Sequence, residues 1–203
     1  VFLEKPHHLD LDEVDRGVAA IQRADIPVQV RFNRRFDPSH RSVREQVRAG
    51  AVGEVQMVRI TSRDPAPPPI AYIKVSGGIF LDMTIHDFDM ARYVTGSEVT
   101  EVYAQGGVMV DPAIGEAGDL DTVVVMMRHE NGAITTIDNS RQAVYGYDQR
   151  VEVFGSAGMA ASDNPGVPTT TLRTAAGSQG STIPYFFLER YIPSYIAQWQ
   201  DFV

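Results

Sequence analysis

Four stretches rich in β-branched and apolar residues, at about 99–110, 121–129, 133–139 and 150–154, constrain this chain more than any other feature. Residues of that kind fit a pleated, half-buried surface, so these stretches are expected to be strands. Asn131-Gly132 sits between the second and third. That pair is favoured in tight hairpin turns because both of its positions tolerate positive φ, which makes those two strands antiparallel neighbours. A fifth run, "GEVQMVRIT" at 53–61, alternates in the same way. The expectation is a large, mostly antiparallel sheet. Along residues 122–127, Val123, Val125 and Met127 interleave with Thr122, Val124 and Met126, so both faces of that strand carry apolar groups. A sheet wetted on one side would alternate with polar residues instead. One face is therefore expected to lie under helices and the other against a second subunit.

The chain before this sheet has a different rhythm. "VFLEKP" reads as a strand closed by Pro6, which has no N–H for a ladder. Leu11, Val14, Val18 and Ile21 then recur at helical spacing, and "IPVQVRF" is a second strand. Strand, helix, strand is a parallel βαβ unit. "DPSHRSVREQVRAG" is a helix with Asp37 at its N-cap, Pro38 in its first turn and Gly50 at its stop. Residues 163–182 are polar and rich in Gly, Pro and Thr, a loop with short strands. The fold class that follows is an α+β domain preceded by the last βαβ piece of a Rossmann-like α/β domain. The boundary falls at residues 1–31 and 32–203. The first residues lie in a strand and the last in an amphipathic helical pattern, so the expectation is a piece of a longer protein.

Composition narrows function. With 43% hydrophobic residues among 203, the chain can build a core. A net charge of −8 argues against a nucleic-acid surface. The absence of cysteine excludes disulfides and thiolate chemistry. There is no apolar run of about 18 residues, the length that would call for a membrane partner.

"LDMTIHDFDM", residues 81–90, places Asp82, His86 and Asp89 among residues that otherwise read as a buried helix. On a regular helix these three and Tyr93 fall within about 60° of one another. A solvated face with Asp89 paired to Arg92 is one account. Against it stand Gly77-Gly78, which let another group approach closely, and Ile79, Phe80, Met83, Ile85 and Phe88, which leave little room for water. An Asp four residues before a His can touch it, and a histidine oriented by a carboxylate is a candidate general base. Asp82 and His86 do not make a zinc motif, since there is neither cysteine nor HExxH, and no metal site is expected.

A strand ending in Glu4-Lys5-Pro6, a helix, a strand, and then an α+β domain carrying "GGIFLDMTIHDFDMARY" together resemble the Gfo/Idh/MocA family of NAD(P)-dependent oxidoreductases. "DPAIGEAGDLDT" and "NGAITTIDNSRQAVYGYDQRVEVFGSAGM" extend the resemblance over nearly the whole chain. The family carries a Rossmann domain whose G-x-G-x-x-G turn holds the cofactor pyrophosphate. That motif is absent here, because neither Gly77-Gly78 nor "GSAG" at 155–158 joins a strand to a helix in a βαβ unit. The resemblance implies that Lys5 is the active-site lysine, in a motif whose Lys–Pro bond is commonly cis, and that Asp82 and His86 are its catalytic partners. It implies that Glu4, Lys5 and Pro6 lie beside NAD, or NADP. It implies that Arg34 of "NRRFD" and Tyr147 of "YGYD" bind substrate, with Tyr145 as the alternative to Tyr147. Asp64, which stands where some relatives have asparagine before proline, joins them.

The activity implied is NAD-dependent oxidation of a ring hydroxyl of a cyclic polyol, myo-inositol foremost, in a cytoplasmic homo-oligomer, a dimer or tetramer. Another sugar or sugar-acid dehydrogenase, and a non-catalytic sugar-binding or assembly module, are the alternatives. In this chemistry His86 is the base, Asp82 holds its tautomer and stabilises its positive charge, and Lys5 donates to the reacting oxygen.

Overall fold

The computed structural model describes residues 1–164 and 170–203. Residues 165–169, in the expected polar loop, lie outside the described residues. Two strands, β1 (Phe2–Leu3) and β2 (Gln29–Val30), pair in parallel with Phe2 opposite Gln29, and α1 (Leu11–Ala24) crosses between them. This is the βαβ unit read from the sequence. Asp10 caps α1 by accepting from the N–H groups of Asp12 and Glu13. A short 3-10 turn, Asn33–Phe36, leads into α2 (Pro38–Arg48). As expected, the Asp37 carboxylate caps α2, accepting from the Ser39 and His40 N–H groups at 2.9 and 3.1 Å.

The main sheet has six strands: β3 (Val55–Arg63), β4 (Val99–Gly107), β5 (Thr122–His129), β6 (Ile134–Ser140), β7 (Asp148–Gly155) and β8 (Gly158–Ser162). Their spatial order is β4-β5-β6-β3-β7-β8. The β5–β6 hairpin turns at Asn131-Gly132 as expected. All pairs are antiparallel except β3 with β6, whose register sets Ile60 opposite Ile137. One feature differs from the sequence reading. The sheet gains β8 beyond residue 154, because Ser156-Ala157 makes a hairpin turn where the glycines suggest a loop. The sheet is mostly antiparallel as expected, and mixed only because the long excursion between β3 and β4 lets β6 insert beside β3.

That excursion carries α3 (Ile70–Ser76), a π-helical turn at Phe80–Thr84, and α4 (Ile85–Thr95). The single regular helix expected over the histidine motif is thus broken, with Asp82 in the π turn and His86 in α4. After α5 (Pro112–Glu116) and a β9 (Leu172–Thr174) to β10 (Gly177–Gln179) hairpin, α6 (Phe187–Phe202) closes the described structure. α6 fulfils the amphipathic pattern near the end of the sequence. Its Trp199 stacks on Phe2 with ring centroids 4.5 Å apart, which fastens the βαβ unit to the rest.

Helices α2 and α4 cover one face of the sheet. Val43, Met90, Ala91 and Val94 from the helices pack with Val58, Ile60, Val125, Met127, Ile137, Val151 and Val153 from the strands. The alternate strand positions face outward. Val124 is 52% exposed, Met126 48% and Met57 46%, so the second face carries apolar groups as its sequence predicts. Among the described residues, no helix is long and apolar enough to cross a membrane.

Candidate active site

Both parallel strands deliver their following residues to one place. Glu4 and Lys5 follow β1, and Arg31, Asn33 and Arg34 follow β2. They line a cleft of about 710 Å³ together with Asp64, Asp82, His86 and Tyr147. Every substrate-binding and catalytic residue expected from the sequence therefore meets in this cleft. Pro6 does not line it, and the Lys5–Pro6 peptide bond is cis. Tyr145 is turned elsewhere, with its hydroxyl donating to Asp148 at 2.6 Å.

The contacts within the cleft differ from the expected ones. The Lys5 ammonium donates to the backbone carbonyl of Asp82 and lies 3.4 Å from its Oδ1. The Tyr72 hydroxyl donates to the same Oδ1 at 2.8 Å, and Arg141 donates to Oδ2 at 3.1 Å. Asp82 makes no hydrogen bond to His86. A carboxylate has about four acceptor sites, and here two cations and a phenol take three of them. His86 keeps a buried Nδ1 with no partner among the described residues, and its ring stands edge-on to Phe32 at 6.1 Å. The expected role of Asp82 in orienting the imidazole is not what this geometry provides.

The same residues set the electrostatics. Burial pushes the His86 pKa well below its ordinary value, and the charges of Arg34 and Lys5 push it further. His86 is therefore neutral near neutral pH, the state that can accept a proton. Burial lowers the Lys5 pKa as well, while Asp82 opposes that shift. Asp64 is pushed up to about 6 by burial, against the pull of Arg34 and Arg141. Burial drives the Tyr147 hydroxyl well above its usual range. Tyr147 packs edge-on against Tyr191 at 5.9 Å, and the Tyr191 hydroxyl, also on the cleft, is buried with no partner among the described residues.

Arg34 is held from behind by a residue the sequence reading passed over. Asp87 is fully buried and pairs with the Arg34 guanidinium. It also accepts from Ser62 Oγ at 2.6 Å and Asn139 Nδ2 at 2.8 Å. Burial is the largest single influence and works against the Arg34 charge, but Asp87, Tyr191, Tyr147 and Asp64 together hold the guanidinium above its usual pKa. An acid next to His86 in an apolar helix was a legible signal, since a buried carboxylate needs a partner. Arg141 and Tyr72 carried no comparable local signal.

Asp89 and Tyr93 do not share the cleft. Asp89 forms a two-pronged ion pair with Arg35 at 2.8 and 2.5 Å, while Arg92 pairs with Glu98. They line a separate cavity of about 720 Å³ on the α2 side of α4. The expected single polar face is divided because Arg35, after β2, approaches α4 from its other side.

The chain's relatives agree with this architecture. A family profile described as GFO/IDH/MocA C-terminal domain matches residues 40–161. A myo-inositol 2-dehydrogenase from Thermotoga maritima is 55% identical over 203 residues, all of this chain and 61% of the relative. The crystal structure of a myo-inositol dehydrogenase from Corynebacterium glutamicum superposes with a TM-score of 0.94 at 43% identity, covering 99% of this chain and 60% of that one. The structure of a scyllo-inositol dehydrogenase from Lactobacillus casei with bound NAD(H) and scyllo-inositol superposes at 0.88 with 32% identity, covering 100% and 61%. The chain thus spans about 60% of the length of these proteins. The profile match, the sheet and the superpositions lead to one conclusion: the chain belongs to the Gfo/Idh/MocA family.

Proposed function

We propose that this chain forms the substrate-binding part of an NAD-dependent polyol dehydrogenase that oxidises a ring hydroxyl of a cyclic polyol, with myo-inositol the leading substrate and 2-keto-myo-inositol the product. The observation that carries this reading is the meeting of Lys5, Asp82 and His86 in one cleft at the C-terminal ends of β1 and β2. Open parallel sheets bind their ligands outside the carboxyl ends of their strands. Glu4, Lys5 and Pro6 stand there, so residues 1–31 read as the end of a cofactor domain and 32–203 as the substrate domain. NAD, when bound, supplies the hydride acceptor.

The chain's own residues do the remaining work. Neutral His86 accepts the hydroxyl proton. Lys5 donates to the oxygen as charge develops on it. Arg34, Asp64 and Tyr147 bind the other hydroxyls. A site with this many polar groups rejects analogues that lack hydroxyls, because its donors and acceptors would be left unpaired.

The exposed apolar sheet face, with Val124, Met126 and Met57, supports a homo-oligomer, a dimer or tetramer; a cytoplasmic location is part of the proposal and rests on the family resemblance alone. NADH production by the full-length protein, measured on myo-inositol, scyllo-inositol, a hexose and a sugar acid, tests the activity. No turnover of either inositol, or equal turnover of the hexose, would overturn the substrate assignment. Light scattering tests assembly, and a monomer at micromolar concentration would overturn it.

A further inference from the structure

Two sequence motifs bring residues that the proposed chemistry leaves unused directly behind Asp82. "DPAIGEAGDLDT" contributes Asp119, and "NSRQAVYGYDQR" contributes Arg141. Arg141 is 1% exposed. Its Nη1 donates to Asp82 Oδ2 at 3.1 Å and its Nη2 lies 3.4 Å from Asp119 Oδ2. The other oxygen of Asp119 accepts the Ile79 N–H at 2.9 Å, at the entry to the π turn that carries Asp82. Gly78 is shaped for this approach: its φ is +78°, and a Cβ there would lie 2.8 Å from Asp119 Oδ1. Charges alternate along the row Lys5, Asp82, Arg141, Asp119. Arginine suits the third place because its planar fork spans two carboxylates, whereas a lysine is a point charge.

We propose that Arg141 is a positioning residue, which fixes the Asp82 carboxylate between itself and Lys5 and thereby controls the position and charge of Lys5. Asp119 anchors Arg141 and the start of the π turn. Asp82 has one negative charge and two cationic partners, so Arg141 competes with Lys5 for it. The other charged groups facing Lys5 are Arg34 and Asp64, and His86 stands beside it. Removing the buried guanidinium leaves the Asp82 charge to Lys5 alone, which raises the Lys5 pKa. It also frees the carboxylate to swing, and a misplacement of about 1 Å at a reacting group costs about a hundredfold in rate.

This inference rests on the dehydrogenase reading. The test uses the full-length enzyme and its Arg141→Gln and Asp119→Asn variants, with kcat, KM for myo-inositol, KM for NAD and the pH profile of kcat/KM measured for each. Circular dichroism and thermal melting run alongside. The expected result for Arg141→Gln, which removes the charge, is a kcat reduced by about a hundredfold, a nearly unchanged KM for NAD, and an ionisation assigned to Lys5 that moves to higher pH. Asp119→Asn should reduce kcat by less and move that ionisation to lower pH, because it leaves the Arg141 charge to Asp82 alone and so weakens the hold of Asp82 on Lys5. A kcat loss with the ionisation unmoved in both variants would show Arg141 to be structural only and overturn the proposal. If Arg141→Gln fails to fold, Asp119→Asn decides by the same two readouts. A wild-type enzyme inactive on all polyols would instead sink the dehydrogenase reading.

Discussion

Lys5 and Asp82, 77 positions apart, are joined twice: the Lys5 ammonium donates to the Asp82 backbone carbonyl and lies 3.4 Å from its carboxylate. Asp82 is therefore the partner of the lysine rather than of the histidine. Burial already lowers the Lys5 pKa, and Asp82 is the largest force holding it up. Asp82→Asn should move the Lys5 ionisation in the pH profile of kcat/KM to lower pH, opposite to the shift expected for Arg141→Gln. An ionisation that stays in place would mean that it does not belong to Lys5.

His86→Ala should reduce kcat on myo-inositol by about two to four powers of ten, the usual worth of a positioned base. NAD affinity, measured by fluorescence titration of the full-length protein, should change little, because the side chain stands on α4. Near-full activity at neutral pH would move the base elsewhere, with Lys5 the next candidate.

Asp64 gives two pH effects of known sign. Its pKa in the folded chain, about 6, lies above the 3.8 expected unfolded. The folded state then holds the proton more tightly, so the contribution of Asp64 to stability is fully present below 3.8 and is lost as pH rises through 6. Asp64→Asn should therefore melt higher than wild type at pH values above 6, by an amount equivalent to at most about 2–3 kcal/mol, and the gap should close in acid. Binding runs the other way. The ionised carboxylate accepts substrate hydroxyls more strongly than the neutral acid does, so KM for the polyol should rise as pH falls through about 6, and the Asn variant should lose that dependence.

Asp87→Ala should destabilise the protein by about 3–5 kcal/mol, since it strands the buried Arg34 charge. Denaturant unfolding measures this. The double variant Arg34→Met, Asp87→Leu should recover part of the stability, because an apolar pair replaces the buried ion pair, while the Ser62 and Asn139 donors lose their carboxylate partner. It should not recover activity, because the Arg34 donor to substrate is gone.

The elements of this fold were legible where a local rule decides them. Alternation marked β3 to β7, Asn131-Gly132 set the β5–β6 hairpin, Asp37 capped α2, and strand-helix-strand spacing marked the βαβ unit. The motifs also brought Lys5, Arg34, Asp64, Asp82, His86 and Tyr147 to attention as one group, and they line one cleft. The strand β8 was not legible, because Gly-Ser-Ala-Gly before it reads as loop, nor was the π turn, because the apolar spacing around Asp82 suits a regular helix equally well.

What the sequence determined by itself was thus the identity of the polar residues and the elements that bear them, since both depend on neighbours a few positions away. Which charge meets which was decided only by the tertiary structure. Asp82 meets Lys5 and Arg141, Asp87 meets Arg34, and Asp89 meets Arg35. These pairs join segments 53 to 77 positions apart. Their geometry depends on the rotation of α4 after the π turn, on the insertion of β6 beside β3, and on how the residues after β1 and β2 reach the helix from two sides. A shift of one position in any of these would exchange the partners, so short-range patterns carry no information about them.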